Sequence, residues 1–143
     1  VGDQLPDAGN LLAVYGTLRR GCRNHPLVLG RATWLCAASL PGRLLHIGGP
    51  RRPYAYPGYL PGADATVVAE LVHVADDSLW PVLHELETYV PGNPAASEYV
   101  LENVEATLTG GQVVPCVTYV YNRAAASWPL VPDGDWASIE PCR

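Results

Sequence analysis

The sequence predicts an α+β fold: a small mixed or antiparallel β-barrel of five to six strands, with one main helix and short helical decoration. Three observations carry this expectation. Hydrophobic runs are short and broken by 14 Gly and 14 Pro, which favours many short strands over long helices. A single segment, around residues 79–86, repeats apolar residues at helical spacing. Strands and helices do not alternate as parallel βαβ units require. With 143 residues, 48% hydrophobic and 16% charged, the chain reads as one domain over 1–143, its core spanning about 11–136. Such a length buries roughly 68–70% of the unfolded surface and needs no staple.

The elements follow in order. Leu11 to Tyr15 reads as a first strand ending on Gly16, with a helical or irregular turn around Asn24 to Leu29. Ala32 to Leu40 reads as a second strand, Pro41-Gly42 as a turn and Arg43 to Ile47 as a third, a hairpin-like pair. Gly48 to Gly62, rich in Gly, Pro and Tyr, is expected to be irregular. Thr66 to Val74 is a strand with Val67, Ala69, Leu71 and His73 on one face, and Val68, Glu70, Val72 and Val74 on the other. The helix starts near Asp76-Asp77-Ser78, whose side chains suit the free N–H groups and the dipole. Pro81 falls in its first turn, and Leu79, Val82, Leu83 and Leu86 form its core stripe. Tyr99 to Leu108 and Gln112 to Tyr121 are two strands joined by Thr109-Gly110-Gly111 as an antiparallel hairpin. The tail from Ala124 reads as a packed loop with a short turn.

Composition excludes several chemistries. All nine basic residues are Arg, so a lysine Schiff base, a lysine-activated serine and the G-x-x-x-x-G-K-[ST] phosphate loop are ruled out. A net charge of −5 disfavours nucleic acid as a partner. No apolar run approaches the ~20 residues of a spanning helix, and Val1 to Asn10 carries two Asp and no basic region of a signal peptide. Cys22, Cys36, Cys116 and Cys142 show no C-x-x-C spacing and read as thiols of a cytoplasmic protein. Cys22 and His25 make a C-x-x-H pair without a second pair, so no metal is expected.

Candidate chemistry sits at element ends. Tyr15-Gly16-Thr17-Leu18 follows a strand, where Gly16 can let successive N–H groups face an anion, or simply end the strand in a turn. Glu87 follows the helix stripe; a partly buried carboxylate there would have its pKa raised toward that of a base working near neutrality, whereas a solvated acidic residue would do nothing. Glu85 lies on another helical face and reads as solvated. Tyr56-Pro57-Gly58-Tyr59 fits an aromatic wall or a Pro-directed turn. His25, His46, His73 and His84 share no triad spacing with Ser or Cys and read as structural.

In this order the pieces resemble the gamma-glutamylcyclotransferase-like superfamily, near its gamma-glutamylamine cyclotransferase and avirulence-induced-gene-like branches. Tyr15-Gly16-Thr17-Leu18-Arg19-Arg20-Gly21 with Asn24-His25 is similar to its opening signature. Gly42-Arg43-Leu44, Tyr56-Pro57-Gly58, Val68-Ala69-Glu70-Leu71, Leu83-His84-Glu85-Leu86-Glu87, Glu98-Tyr99-Val100, Tyr119-Val120-Tyr121 and Gly134-Asp135-Trp136 follow in register. The resemblance runs from about Leu11 to Trp136. It implies a compact barrel whose pocket opens between the first strand's loop and the helix end, and cleavage of a gamma-glutamyl amide by cyclisation, releasing 5-oxoproline and a free amine. It implies Glu87 as general acid and base, Tyr15, Gly16, Thr17 and Leu18 as the glutamyl-binding loop, Tyr99 as a pocket tyrosine, and no metal or organic cofactor.

The departures at His84 and Thr88 bear on helix capping and local fit, and those in the loop that follows and at Leu101 bear on the substrate. His84 stands where the family usually has Asp, Thr88 where Gly is frequent, and Leu101 where an Arg often follows the tyrosine. The segment from Thr88 to Ser97 is long and borders the leaving-group side, which suggests a gamma-glutamylated biosynthetic intermediate as substrate. The implied partner is therefore a small gamma-glutamyl molecule, with no nucleic acid and no membrane, and nothing in the sequence specifies an oligomeric state. The alternative expectation is a non-catalytic member that binds a small metabolite or a partner through the same pocket.

Overall fold

The structure is a computed structural model and describes residues 8–22, 24–28, 30–47, 56–123 and 128–139. Five strands form a closed barrel: β1 (Leu11–Val14), β2 (Ala32–Ile47), β3 (Tyr56–Val74), β4 (Tyr99–Leu108) and β5 (Val113–Tyr121), in the spatial order β1-β3-β2-β4-β5. All neighbours are antiparallel except β1 and β5, which meet in parallel at Leu12 and Val117. One helix, α1 (Leu79–Leu86), links β3 to β4, and short 3-10 turns cover Ala8–Asn10, His25–Leu27, Pro94–Ala96 and Trp136–Ser138. The α+β barrel is therefore the architecture the short strands and single helical stripe anticipate. Among the described residues, no helix is long and apolar enough to cross a membrane, which leaves membrane β-barrels unaddressed.

The period-two pattern sorts residues into two cores. Leu11, Ala13, Leu40, Leu44, Tyr59, Val67, Ala69, Leu71, Ala106 and Val114 pack in one cluster. The alternate residues Leu12, Val14, Val72, Val74, Val117, Tyr119 and Tyr121 pack in a second, together with Leu79 and Leu83 of α1. All four β1 residues are buried because the strand has a core on each face. The Leu and Val side chains among them contribute about 1.5–3 kcal/mol each on full burial.

Two expectations are corrected. Residues 32–47 are one continuous strand and not a hairpin, and residues 56–62 are the strand that pairs with its second half. Pro41-Gly42 marks a register shift within that ladder. Gly42 adopts φ +146° there, and a Cβ on it would lie 2.2 Å from the Leu60 carbonyl oxygen. The Tyr59 hydroxyl donates to the Pro41 carbonyl and fixes the irregularity from across the pair. A Pro-Gly pair thus serves as a bulge because a long partner strand is available to hold it. The rest of the 48–62 segment, 48–55, lies outside the described residues, as do the readings on 1–7 and on 124–127 of the tail.

The α1 stripe also divides. Leu79 and Leu83 are fully buried, whereas Leu86 is 40% exposed. Ser78 caps the helix without a side-chain bond; instead Asp76 Oδ1 accepts from the Ser78 N–H at 2.9 Å. Cys22 is disulfide-bonded, so the thiol reading holds for Cys36 and Cys116 and not for Cys22, while Cys142 lies outside the described residues.

Candidate active site

β1 ends at Val14, and the chain turns through Tyr15–Leu18 against the barrel rim. The Asn24 side chain donates to Thr17 Oγ1 at 2.7 Å, and its backbone N–H donates to the Thr17 carbonyl at 2.8 Å. Two residues on, the Arg19 guanidinium donates to Asp135 Oδ1 at 2.7 Å and reaches Glu70 Oε2 at 3.5 Å. Glu70 Oε1 also accepts from the Arg20 N–H at 2.6 Å. Glu70 of β3 and Asp135 are therefore anchors of the loop. Gly16 has a different reason from the backbone freedom its position suggested: a Cβ there would lie 2.5 Å from Pro57 Cγ. A bare Cα lets the loop pack on β3.

Across the opening, α1 delivers Glu87 at its C-terminal cap, where the Glu87 N–H donates to the Leu83 carbonyl at 2.9 Å. The next residue, Thr88, takes φ +51°, an uncommon conformation for a β-branched side chain. That left-handed step turns the chain out of the helix, and the Thr88 carbonyl accepts from the Glu98 N–H at 2.8 Å as β4 begins. A glycine would take this conformation without steric cost.

A cavity of about 190 Å³ lies between these segments. Tyr15, Gly16, Thr17, Leu18, Glu87 and Tyr99 all line it, so every residue singled out for the site reaches one place. Tyr56 and Pro57 line it as well, whereas Tyr59 is fully buried in the barrel core; the aromatic wall is half of the expected segment. The tyrosine hydroxyls are turned to protein acceptors. Tyr15 Oη donates to the Tyr119 carbonyl at 2.6 Å, Tyr99 Oη donates to the Pro57 carbonyl at 2.5 Å, and Tyr56 Oη donates to Glu98 Oε2. Tyr15 and Tyr99 thus face the cavity as ring surfaces rather than as free donors.

Electrostatics follow from this enclosure. Burial, and secondarily the Glu98 charge, push the Glu87 carboxyl up to about 8. Burial, then Glu87, also drives the Tyr15 and Tyr119 phenols well above their ordinary value. Tyr99 is raised by burial first and then by Tyr15 and the two carboxylates. A carboxyl poised near 8 exchanges a proton with an amine of similar pKa at little cost in either direction.

Several site residues carried no functional reading in the sequence. Glu98, Tyr119, Asn24 and Leu86 line the same cavity; of the 88–97 segment expected to border it, Thr88 alone is on the lining. Glu98 and Tyr119 stood inside recognisable segments, but strand alternation alone does not say which face meets the helix end. His84, read as structural, places Nδ1 2.8 Å from the Tyr119 hydroxyl. His25 accepts from the Gly21 N–H at 3.1 Å through Nδ1, a local loop contact.

Residues 12–138 match the family model described as gamma-glutamyl cyclotransferase, AIG2-like. Comparison with curated proteins finds no match. An AIG2-like protein from Mus musculus is similar in structure, with a TM-score of 0.65 and 22% identity over 87% of this chain and 86% of that one. An uncharacterized protein from Pyrococcus horikoshii gives 0.61 and 21% identity, covering 91% and 92% of the two chains. The allophanate hydrolase of Kluyveromyces lactis gives 0.59 and 19% identity over 92% of this chain but only 21% of its own length. At these identities the likeness is one of fold.

Proposed function

We propose, from the premise that the chain belongs to the gamma-glutamyl cyclotransferase, AIG2-like family, that it cyclises the glutamyl group of a gamma-glutamyl amine or amide and releases 5-oxoproline. The observation that carries the proposal is Glu87, a carboxyl pushed up to about 8 in a cavity whose opposite wall is the Tyr15–Leu18 loop.

The chemistry needs little from the protein. The substrate's alpha-nitrogen attacks its own gamma-carbonyl carbon, a new C–N bond closes the five-membered ring, and the bond to the leaving nitrogen breaks. An alpha-amine is normally protonated near pKa 7.7–8.0 and must lose that proton to attack. Glu87 takes that proton and returns it to the departing nitrogen, and the regenerated carboxylate then passes the second proton of the ring nitrogen to the released amine, so one carboxyl serves as base and as acid. An ionised Glu87 facing an ammonium and a neutral Glu87 facing a free amine contain the same protons, and a carboxyl near 8 makes the two states nearly equal in energy. Backbone N–H groups of Gly16, Thr17 and Leu18 hold the alpha-carboxylate or the tetrahedral oxyanion. Enclosure by Tyr15, Tyr56 and Tyr99 folds the glutamyl chain toward attack, where orientation supplies much of the acceleration. None of these steps uses lysine, a metal or an organic cofactor.

Of the 88–97 segment Thr88 lines the cavity beside Glu87, and this departure supports a gamma-glutamylated biosynthetic intermediate over a simple gamma-glutamyl amino acid. The test is incubation with a panel of gamma-glutamyl amines, gamma-glutamyl lysine-type isopeptides and glutathione, with mass-spectrometric detection of 5-oxoproline. Release from at least one member by the parent protein, lost in folded Glu87→Gln, is expected. Binding without release by the parent protein would leave a metabolite-binding member of the family instead.

A further inference from the structure

We infer that His84 is a positioning residue, which sets the hydrogen-bond polarity of the Tyr119 hydroxyl beside Glu87. The inference rests on the cyclotransferase reading for its kinetic consequence, and on geometry alone for the contact.

Tyr119 is held from every side. It is 3% exposed, and its own backbone carbonyl accepts the Tyr15 hydroxyl at 2.6 Å. Its ring packs edge-on against His84 at 5.9 Å and Tyr89 at 6.2 Å between centroids. The phenol oxygen meets His84 Nδ1 at 2.8 Å, and the residue lines the cavity shared with Glu87. His84 is half-buried, with Tyr89 edge-on at 4.8 Å and Trp80 at 6.0 Å. The ionisable groups around the pair are Glu87 at the end of α1, Tyr89 after it, Tyr15 after β1, and Glu98 and Tyr99 at the start of β4.

A ring nitrogen and a hydroxyl at this distance share one hydrogen bond, and the protonation of the imidazole decides its direction. In neutral His84 with the proton on Nε2, Nδ1 accepts the Tyr119 proton, and the phenol oxygen turns its lone pairs to the cavity. There it accepts an N–H from the substrate's amine. When His84 gains a second proton, Nδ1–H donates to the phenol oxygen, and the Tyr119 proton swings toward the Glu87 carboxylate. That bond stabilises the ionised carboxylate and weakens it as a base. Burial lowers the His84 pKa below its ordinary 6.5, which keeps the ring neutral near pH 7, the state in which Nδ1 can accept. His84 lies three residues before Glu87, so one turn of α1 supplies both the base and the group that orients its neighbour.

Two measurements test this. Imidazole nitrogen NMR on the intact protein, with His84 assigned by its loss in His84→Asn, is expected to show Nδ1 unprotonated at pH 7.5 and its signal shifted in Tyr119→Phe. An Nδ1–H tautomer, or no change in Tyr119→Phe, overturns the contact whether or not any substrate turns over. Kinetics then use the best substrate of the panel between pH 5 and 9. Log kcat/KM is expected to fall with slope one below about 8 and to steepen to slope two at lower pH, where His84 protonates below the ordinary imidazole value, with His84→Asn keeping slope one throughout. Tyr119→Phe is expected to lose about tenfold in kcat/KM at pH 7, the worth of one hydrogen bond in the transition state, and adding His84→Ala to cost nothing more. Additive losses, or the same slopes in parent and His84→Asn, overturn the positioning role. Absence of 5-oxoproline from the parent protein fails the cyclotransferase reading alone.

Discussion

Replacing Glu87 by Gln should stabilise the protein, and increasingly so as the pH rises. The unfolded chain releases this proton near the ordinary carboxyl value of 4.5, whereas the folded chain holds it to about 8. Between those values the native state binds one proton more than the unfolded state, so parent stability falls by about 1.4 kcal/mol per pH unit from this group. The full difference corresponds to about 5 kcal/mol, an upper bound. Glu87 keeps part of its surface in a cavity that opens to solvent, and screening there brings the effect to about 2–4 kcal/mol. Gln keeps the shape and cannot ionise, so the two proteins should be close at pH 5 and diverge above it.

Thermal denaturation of both proteins at pH 5, 7 and 9 reads this directly. For a chain of this length the gap at pH 9 should reach roughly 5–12 °C in Tm, with the variant higher. Asp76 and Asp133, each held below the ordinary range chiefly by a serine hydroxyl, titrate alike in both proteins and cancel. Parallel Tm curves across this range would mean a solvated carboxyl of ordinary pKa, and the argument for Glu87 as a base matched to an amine would fall with it.

Two further predictions concern the backbone beside the site. Thr88→Gly should raise stability by about 0.5–1 kcal/mol in urea unfolding, because it relieves a β-branched residue at φ +51° while adding glycine's entropy cost; destabilisation would show that the threonine side chain, and not its backbone, holds the turn. Gly16→Ala should cost about 1–3 kcal/mol because its Cβ would meet Pro57 Cγ at 2.5 Å, whereas Gly110→Ala, with open space around it, should change little; equal effects would refute close packing as the reason for Gly16.

What was legible in the sequence was local. Residues 66–74 alternate cleanly, α1 has its apolar stripe, and Thr109-Gly110-Gly111 marks a hairpin, because each pattern is complete within a dozen residues. The pairing of 42–47 with 56–61 was not, since Pro41-Gly42 and Pro57-Gly58 have the composition of turns. Only the opposing strand turns them into ladder positions, Gly58 by letting Ile47 and Tyr121 approach where a Cβ would clash. The site was legible for a different reason. Its named residues end or begin elements, and their order along the chain matched a known arrangement even though their spacing spans the molecule. Tyr119 sits on a strand, and Glu98 just before one, whose facing is fixed by barrel closure, which no window of sequence contains.

The absence of phenylalanine and methionine bears on the same point. Large core volume here must come from Leu, Trp and Tyr, and a buried phenol requires a hydrogen-bond partner that a phenyl ring does not. Those partners lie far away in the chain: Tyr15 reaches the Tyr119 carbonyl, Tyr99 the Pro57 carbonyl, and Tyr119 the His84 ring. Each bond ties one cavity wall to another, so the loop after β1, the start of β3, the start of β4 and the end of α1 are held to one another through β5. Turning the Tyr15 and Tyr99 hydroxyls to backbone acceptors leaves their ring faces toward the cavity, and that low polarity helps raise Glu87 toward 8. The tyrosines therefore join fold and chemistry in one device: the bonds that satisfy their hydroxyls fix the walls, and the rings left facing inward tune the base.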